Sequence, residues 1–297
     1  MEINTQTLQV AFTGFKAVFQ KAFEAAPVHY LEVATEVPST TKQEVYPWLG
    51  QNTKFREWLG DRAIQNLNAH SFTIKNKHFE NTVAIDRDDF EDDTYGIYSP
   101  MIGQLGQDSK VHPDILTFNL LKAGINQICY DGQYFFDVDH PGWDANGNSV
   151  SVSNVDAGGS GPWWFLLDTT KVIKPLIFQK RKGYQFIPLT RPEDPNVFHQ
   201  NRFVYGVDAR VNVGYGLWQM AYASNQPLDA AHYGAARAAM GAIRAESGDP
   251  LAITPDLLVF PPALEGAANT LLKATVVNNT TNTWAGTAKA LMTPRVA

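Results

Sequence analysis

The chain has 297 residues, 44% of them hydrophobic, enough to bury a large core in one elaborate domain or two modest ones, which excludes a disordered tail. With 30 acidic against 24 basic side chains its formal net charge is -6, so no whole-molecule field draws it to nucleic acid or to an anionic membrane, and any DNA contact is local. The single cysteine, Cys129, excludes an internal disulfide and a cysteine-rich zinc cluster and fits a reducing cytoplasm.

No apolar run approaches the roughly 20 residues a membrane helix needs, so no membrane partner is expected. Met1-Glu2-Ile3-Asn4 opens with an acid and lacks a signal-peptide pattern, which predicts a soluble, intracellular start. Leu8, Phe12, Phe15, Phe19 and Phe23 recur at steps of three and four, the stripe of a helix that Pro27 terminates. Residues 28 to 44 read as an extended polar connection with no partner for that stripe, so the arm is free to pack elsewhere in the fold or on a neighbouring subunit.

Val45 to Arg62, with Tyr46, Trp48, Leu49, Phe55, Trp58 and Leu59, reads as an aromatic docking element. Ser71 to Asp86 reads as a hairpin: Phe72 and Ile74 alternate with polar residues, Lys75-Asn76-Lys77 looks like a turn, and Phe79, Val83 and Ile85 share one parity on the return. The acidic run Asp86 to Asp93 lacks the Gly and spaced ligands of a calcium loop and reads as a solvated face with helix N-terminal charge. Ile97 to Ile125 carries a long helical pattern that Pro113 is expected to kink or split.

Asp131 to Pro162 reads as a long exposed connection, and Trp163 to Tyr222 as strand-rich. Asp229 caps an alanine-rich helix through about Glu246, ended by Gly248; Leu257 to Phe260 is a short buried strand, and Pro261-Pro262 starts a last helix through Lys273. The mix is α+β.

The stretch Tyr130 to Asp144 concentrates four aspartates and a histidine. Asp137, Asp139 and His140 have ligand chemistry, but a calcium loop starting at Asp144 would need Glu at its twelfth position, which is Val155. Turn dipeptides Asp131-Gly132 and Pro141-Gly142 explain the same residues with aspartates bonding backbone N–H groups. No phosphate loop, His-Glu-x-x-His or Gly-x-Ser-x-Gly pattern occurs. No catalytic residue, cofactor or metal is assigned. Cys129, just past an apolar helix end, reads as a buried inert thiol. Lys171, Lys174, Lys180, Arg181 and Lys182 form the one basic neighbourhood, readable as phosphate contacts or as protected strand edges.

Tyr46-Pro-Trp-Leu-Gly50, Arg56-Glu-Trp-Leu-Gly-Asp-Arg62, Phe72-Thr-Ile-Lys-Asn-Lys77, Asp86-Arg-Asp-Asp89, Tyr130-Asp-Gly-Gln-Tyr-Phe-Phe-Asp137, Asp139-His-Pro141 and Gly214-Tyr-Gly-Leu-Trp218 occur in that order. In this the chain resembles the major head (capsid) subunits of Mu-like phages and prophages over nearly its whole length. The resemblance implies a Hong Kong 97-type capsid fold: residues 1–65 as N-terminal arm and docking segment, 66–95 as extended loop, 96–228 as peripheral domain with a spine helix at 96–127, and 229–297 with the axial-domain helices and strand. The allocation of 128–228 stays open between the two domains.

It further implies pentamers and hexamers that close an icosahedral shell around double-stranded DNA, with scaffold or protease, portal and decoration partners, synthesised in the bacterial cytoplasm and resident in the virion. Phe12, Phe15, Phe19, Phe23, Phe72, Ile74, Lys75, Lys77 and Phe79 are the expected subunit-interface residues, since arms and hairpins of a shell subunit find their complement on neighbours. Two alternatives remain at this point: the shell of a phage-derived nanocompartment, and a metal-dependent hydrolase using Asp137, Asp139 and His140. On the hairpin reading, deleting residues 71–86 leaves a folded subunit that cannot assemble.

Overall fold

The computed structural model describes residues 4–46, 72–92, 95–277 and 279–297. Helix α1, Thr5–Ala25, starts at Asn4, whose side chain accepts from the Thr7 amide at 2.9 Å while the Thr7 hydroxyl accepts from the Asn4 amide, so two orphan donors are satisfied reciprocally. Its stripe of Leu8, Ala11, Phe15 and Phe19 is buried. A short helix α2, Tyr30–Val33, leads into strand β1, Ala34–Pro38. Strands β2, Gln43–Tyr46, and β3, Phe72–Lys75, form an antiparallel ribbon, and β4, Lys77–Asp86, follows after Asn76. Helix α3, Arg87–Glu91, and a 3-10 turn precede the long helix α4, Ser99–Ala123.

α1 lies against α4 because a glycine allows it: a Cβ at Gly106 would sit 2.5 Å from the Phe19 carbonyl oxygen. α4 also anchors the chain that leaves α1, since Asp114 accepts from the amides of His29 (3.0 Å) and Tyr30 (2.7 Å). Beyond α4 come β5, His140–Trp143, paired with β6, Ser149–Val152, then β7, Val155–Asp156, and β8, Trp164–Leu167. Two 14-residue strands, β9 (Leu176–Leu189) and β10 (Arg202–Tyr215), flank helix α5, Pro195–Gln200. They pair antiparallel with an irregularity between Asp208 and Val211.

The strand order β1-β9-β10-β4 makes one sheet. From 202 to 212 of β10, Phe203, Tyr205, Val207, Ala209 and Val211 are buried and the even residues only partly so or exposed, the alternation of a sheet with one covered face. Phe15, Phe19 and Phe90 pack there with Phe203 and Tyr205. A second sheet runs β15-β12-β8-β11-β7, with β11 at Ala221–Ser224, β12 at Leu257–Phe260 and β15 at Lys289–Met292. β8 and β12 are buried at every position and read as continuous apolar runs. Helices α6, Ala230–Gly241, and α7, Glu265–Leu272, bury Tyr233, Ala236 and Met240, and Ala268, Leu271 and Leu272, in the same core. A small ribbon of β13, Val276–Val277, and β14, Thr280–Thr281, follows α7.

Several expectations change. Residues 72–75 and 77–86 do not pair with each other: β3 pairs with β2, and β4 pairs with β10 from Arg202↔Asp86 to Val211↔Lys77. Asn76 is therefore a change of partner rather than a hairpin turn, and deleting 71–86 would strip an edge strand carrying the buried Ile85 from the sheet. The phenylalanine stripe is satisfied within the chain and does not wait for a neighbour. Pro113 does not split α4. Residues 28–44 hold a helix turn and two strands, and 131–162 is pinned rather than loose, with Phe135, Phe136, His140 and Asn154 buried. α6 ends at Gly241, before Glu246, while its Asp229 cap accepts from the amides of Ala231 and His232 as expected. The aromatic docking element beyond Tyr46 lies outside the described residues.

Phe19→Ala should destabilise the isolated subunit by about 3–5 kcal/mol through the cavity it leaves. Urea denaturation of unassembled protein checks this; a wild-type midpoint would show that the stripe is not part of the subunit's own core.

Candidate functional site

The residues of the aspartate-rich stretch are placed by the turn after α4. Phe136 donates its amide to the Gly124 carbonyl (3.0 Å) and Phe135 to Gln127 (2.9 Å), which buries both rings, Phe135 stacking on Tyr215 at 4.5 Å. This brings Cys129, Asp131 and His140 together. Asp131 accepts from the Cys129 thiol (3.1 Å), the Gln133 amide (3.1 Å) and His140 Nδ1 (2.7 Å), and the His140 ring lies on Trp218 at 4.0 Å. Bonding to the carboxylate places a proton on Nδ1, and Nε2 has no hydrogen-bond partner among the described residues.

Burial pushes the Asp131 carboxyl up, but the bonds from His140 and Cys129 outweigh it and the net direction is down. Burial, with the adjacent Asp131 charge, pushes the Cys129 thiol well up. An ion held by this trio would have to displace the thiol proton against both effects and open a carboxylate that three donors already fill. The cluster is built as a hydrogen-bonded pin.

The hydrolase trio does not converge. Asp137 accepts from the amides of Tyr134 (3.1 Å) and Val138 (2.7 Å), Asp139 is exposed, and His140 is fully buried among other partners. Asp144 accepts from the amides of Asn146 (2.7 Å) and Asn148 (2.9 Å), a turn rather than an ion loop. In the acidic run Asp86 caps α3, Asp88 accepts from Asn201 (3.0 Å), and Tyr98 donates to Asp89. The basic neighbourhood is committed to its own chain. Lys180 pairs with Glu36 (3.1 Å) and Lys182 with Asp208 (2.7 Å), while Lys171, Lys174 and Arg181 donate to the carbonyls of Ala252, Leu31 and Ser39.

Of the interface residues expected from sequence, Phe15, Phe19 and Ile74 are buried in the subunit. Phe12 stacks on Phe186 (5.7 Å), Phe23 lies beneath Lys110 (5.1 Å), Phe79 packs on His112 (4.5 Å), and Phe72 is half-buried. Only Lys75 and Lys77 project freely into solvent. The large apolar side chains left uncovered are instead Val172 (91% exposed), Phe198 (76%), Ile97 (74%) and Val10 (68%), joined by Val138 and Ile128. From the sequence Ile97 reads as part of the long helical stripe and Val172 as part of a strand-rich segment, because an apolar neighbour does not tell which side chain faces out. Phe198 had a signal: in a six-residue helix where Val197 faces inward, its neighbour faces out.

The backbone closely follows the subunit in the procapsid of bacteriophage JBD30: TM-score 0.86, 40% identity, covering 99% of this chain and 100% of that one. That defines the class, an α+β subunit with the Hong Kong 97-type capsid fold. Residues 8–296 match the family "Mu-like prophage major head subunit gpT". The Mu-like prophage FluMu major head subunit of Haemophilus influenzae is 43% identical over 91% of this chain and 90% of its own, and the major capsid protein of Escherichia phage Mu 40% identical over 92% and 91%. The chain belongs to the Mu-like major head subunit family. Neither the compartment nor the hydrolase alternative gains support from these relatives.

The folded pKa of Asp131 lies below its unfolded value of about 3.9, so its stabilisation is present above that pH and is lost as pH falls through the folded value. Asp131→Asn should cost about 1–3 kcal/mol at pH 7, and the gap to wild type should narrow below about pH 4. Denaturation midpoints across pH check this; a gap independent of pH contradicts the pin. The buried Cys129 thiol should react with a thiol reagent only at the unfolding rate, which time-resolved labelling reads directly.

Proposed function

We propose that copies of this chain gather into pentamers and hexamers and close an icosahedral head around double-stranded DNA, without reading its sequence and without a catalytic step. The match to a head-subunit family along residues 8–296 supports this most strongly. The physical support is a subunit that has satisfied its own core yet leaves Val172, Phe198, Ile97 and Val10 bare on its surface. Burial of such side chains between copies supplies the association, and charged rims set the angle. A net charge of -6 suits a wall from which packaged DNA must later leave.

In this reading α1, α4 and the sheet of β1, β9, β10 and β4 form the peripheral domain. The sheet of β7, β8, β11, β12 and β15, with α6 and α7, forms the axial domain, so residues 128–228 contribute to both. The extended loop shifts from residues 66–95 to the β2–β3 ribbon, since β4 is a sheet strand. Scaffold or protease, portal and decoration proteins are the further partners, with synthesis in the host cytoplasm and final residence in the virion. The exposed side chains of Lys75 on the ribbon and Lys77 at the start of β4 are kept as interface residues in this reading.

Electron microscopy of the expressed, purified protein should show rings or closed shells. Phe198→Asp should leave the subunit folded by circular dichroism and reduce shells sharply, because it puts a charge on a bare apolar contact. A stable monomer at high concentration, with no assembly under any scaffolded condition, would overturn the reading.

A further inference from the structure

Most of the exposed apolar side chains stand apart, but two small sets sit on well-braced turns and carry charges of opposite sign. The first is on the turn after α4. Ile128 and Tyr134 face each other across an antiparallel bridge, braced by the Cys129 amide on the Gln133 carbonyl (2.8 Å) and the Phe135 amide on the Gln127 carbonyl (2.9 Å), so their side chains share one face. The Asp137 carboxylate accepts from the amides of both Tyr134 and Val138 and ties Val138 to that bridge. Ile128, Tyr134 and Val138 are all exposed, and the Asp131 pin fixes the turn that carries them. Asp137 and the exposed Asp139 flank this surface, and neither forms an ion pair among the described residues.

The second set is on the connection from β8 to β9, residues 168–175. Thr169 donates to Asp256 through its amide (2.6 Å) and its hydroxyl (2.8 Å), and Thr170 donates to Asp168 (2.9 Å). The Thr35 hydroxyl donates to the Val172 carbonyl (3.1 Å) and accepts from the Lys174 amide (2.9 Å). A connection held at this many points still keeps Val172 out in solvent, and the exposed Leu31 is linked to it through the bond from Lys174 to the Leu31 carbonyl. Lys171 and Lys174 flank Val172, and their ammonium groups reach only the neutral carbonyls of Ala252 and Leu31, so neither charge meets a carboxylate among the described residues.

We propose that the Lys171–Lys174 loop of one copy docks on the Ile128–Tyr134–Val138 surface of the next, with Val172 covering the apolar centre while Lys171 and Lys174 meet Asp137 and Asp139. The inference rests on the shell reading above and deepens it by naming one contact between copies. A second copy is the occupant because the chain itself carries the complement in both polarity and charge. The two surfaces are unlike, so each copy offers one to each neighbour and the contact repeats head to tail around a ring instead of stopping at a pair. The apolar centre supplies burial, and the charged rim sets register and the speed of docking. Both surfaces are braced before they meet, so docking orders little chain.

The test is crosslinking within assembled protein. Val138→Cys and Val172→Cys are purified separately, one with an affinity tag, mixed, assembled and treated with a short bis-maleimide. The mixture should give a covalent pair of one tagged and one untagged chain, and neither variant alone should; wild type, whose one cysteine is the buried Cys129, is the blank. Light scattering then follows assembly of charge variants whose folding circular dichroism confirms. Asp139→Lys and Lys171→Glu should each slow assembly about tenfold at low salt, with a smaller effect at high salt, and the double variant should regain most of the wild-type rate. A mixture that assembles without the crosslinked pair, a pair formed by either cysteine variant alone, or a double variant no faster than the slower single would overturn the contact and leave the shell reading intact. Absence of assemblies from wild type would overturn both. If a charge variant fails to fold, the crosslinking decides.

Discussion

The pairing of β9 with β10 is the constraint on which the subunit depends. One face of the pair takes the aromatic side of α1 and, beside it, α4, which reaches the strands directly through His112 to Tyr184 and Leu120 to Tyr215; the opposite face, at the Gln179 and Gly214 end, seats the β2–β3 ribbon. Its edges are closed by β1 on one side and β4 on the other. Because Tyr205 and Phe203 meet Phe15 and Phe90 edge-on within about 5 to 6.5 Å, the helix is locked to the sheet by ring geometry as well as by burial.

That arrangement separates two tasks. Apolar groups that stabilise the chain are inside it, and the large apolar side chains left on its surface are scattered rather than gathered in one patch. A shell subunit built this way can fold before it meets a neighbour, which keeps the long strands paired during synthesis instead of offering their edges to other chains. The Asp131 pin serves the same end, tying the turn after α4 to Trp218 and so joining the two sheets' supports.

Much of this was legible in the sequence, and the misses share a cause. The α1 stripe announced a helix by its period, but a stripe does not say what covers it; the partner depends on Gly106 lying far along the chain. Alternation in 72–86 announced a strand, yet the partner of β4 is β10, and pairing so distant leaves no local trace. Lys75-Asn76-Lys77 looked like a turn by residue type, but the Asn76 amide serves a buried network rather than a hairpin. At the aspartate-rich stretch the Asp131-Gly132 turn read from the sequence is present, with Gly132 at φ 90°, whereas Pro141-Gly142 lies inside β5 and is not a turn. The His140–Asp131 pair was not legible, since burial rather than spacing chose the carboxylate. Motif order along the whole chain carried the family where no single motif did.

The central claim is that the N-terminal phenylalanine helix belongs to the subunit's own core. Hydrogen–deuterium exchange on dilute, unassembled protein tests it most directly. The account predicts that amides of α1 and β10 are protected together, opening only with global unfolding. Free exchange along α1 in the isolated subunit, with protection gained only on assembly, would contradict it.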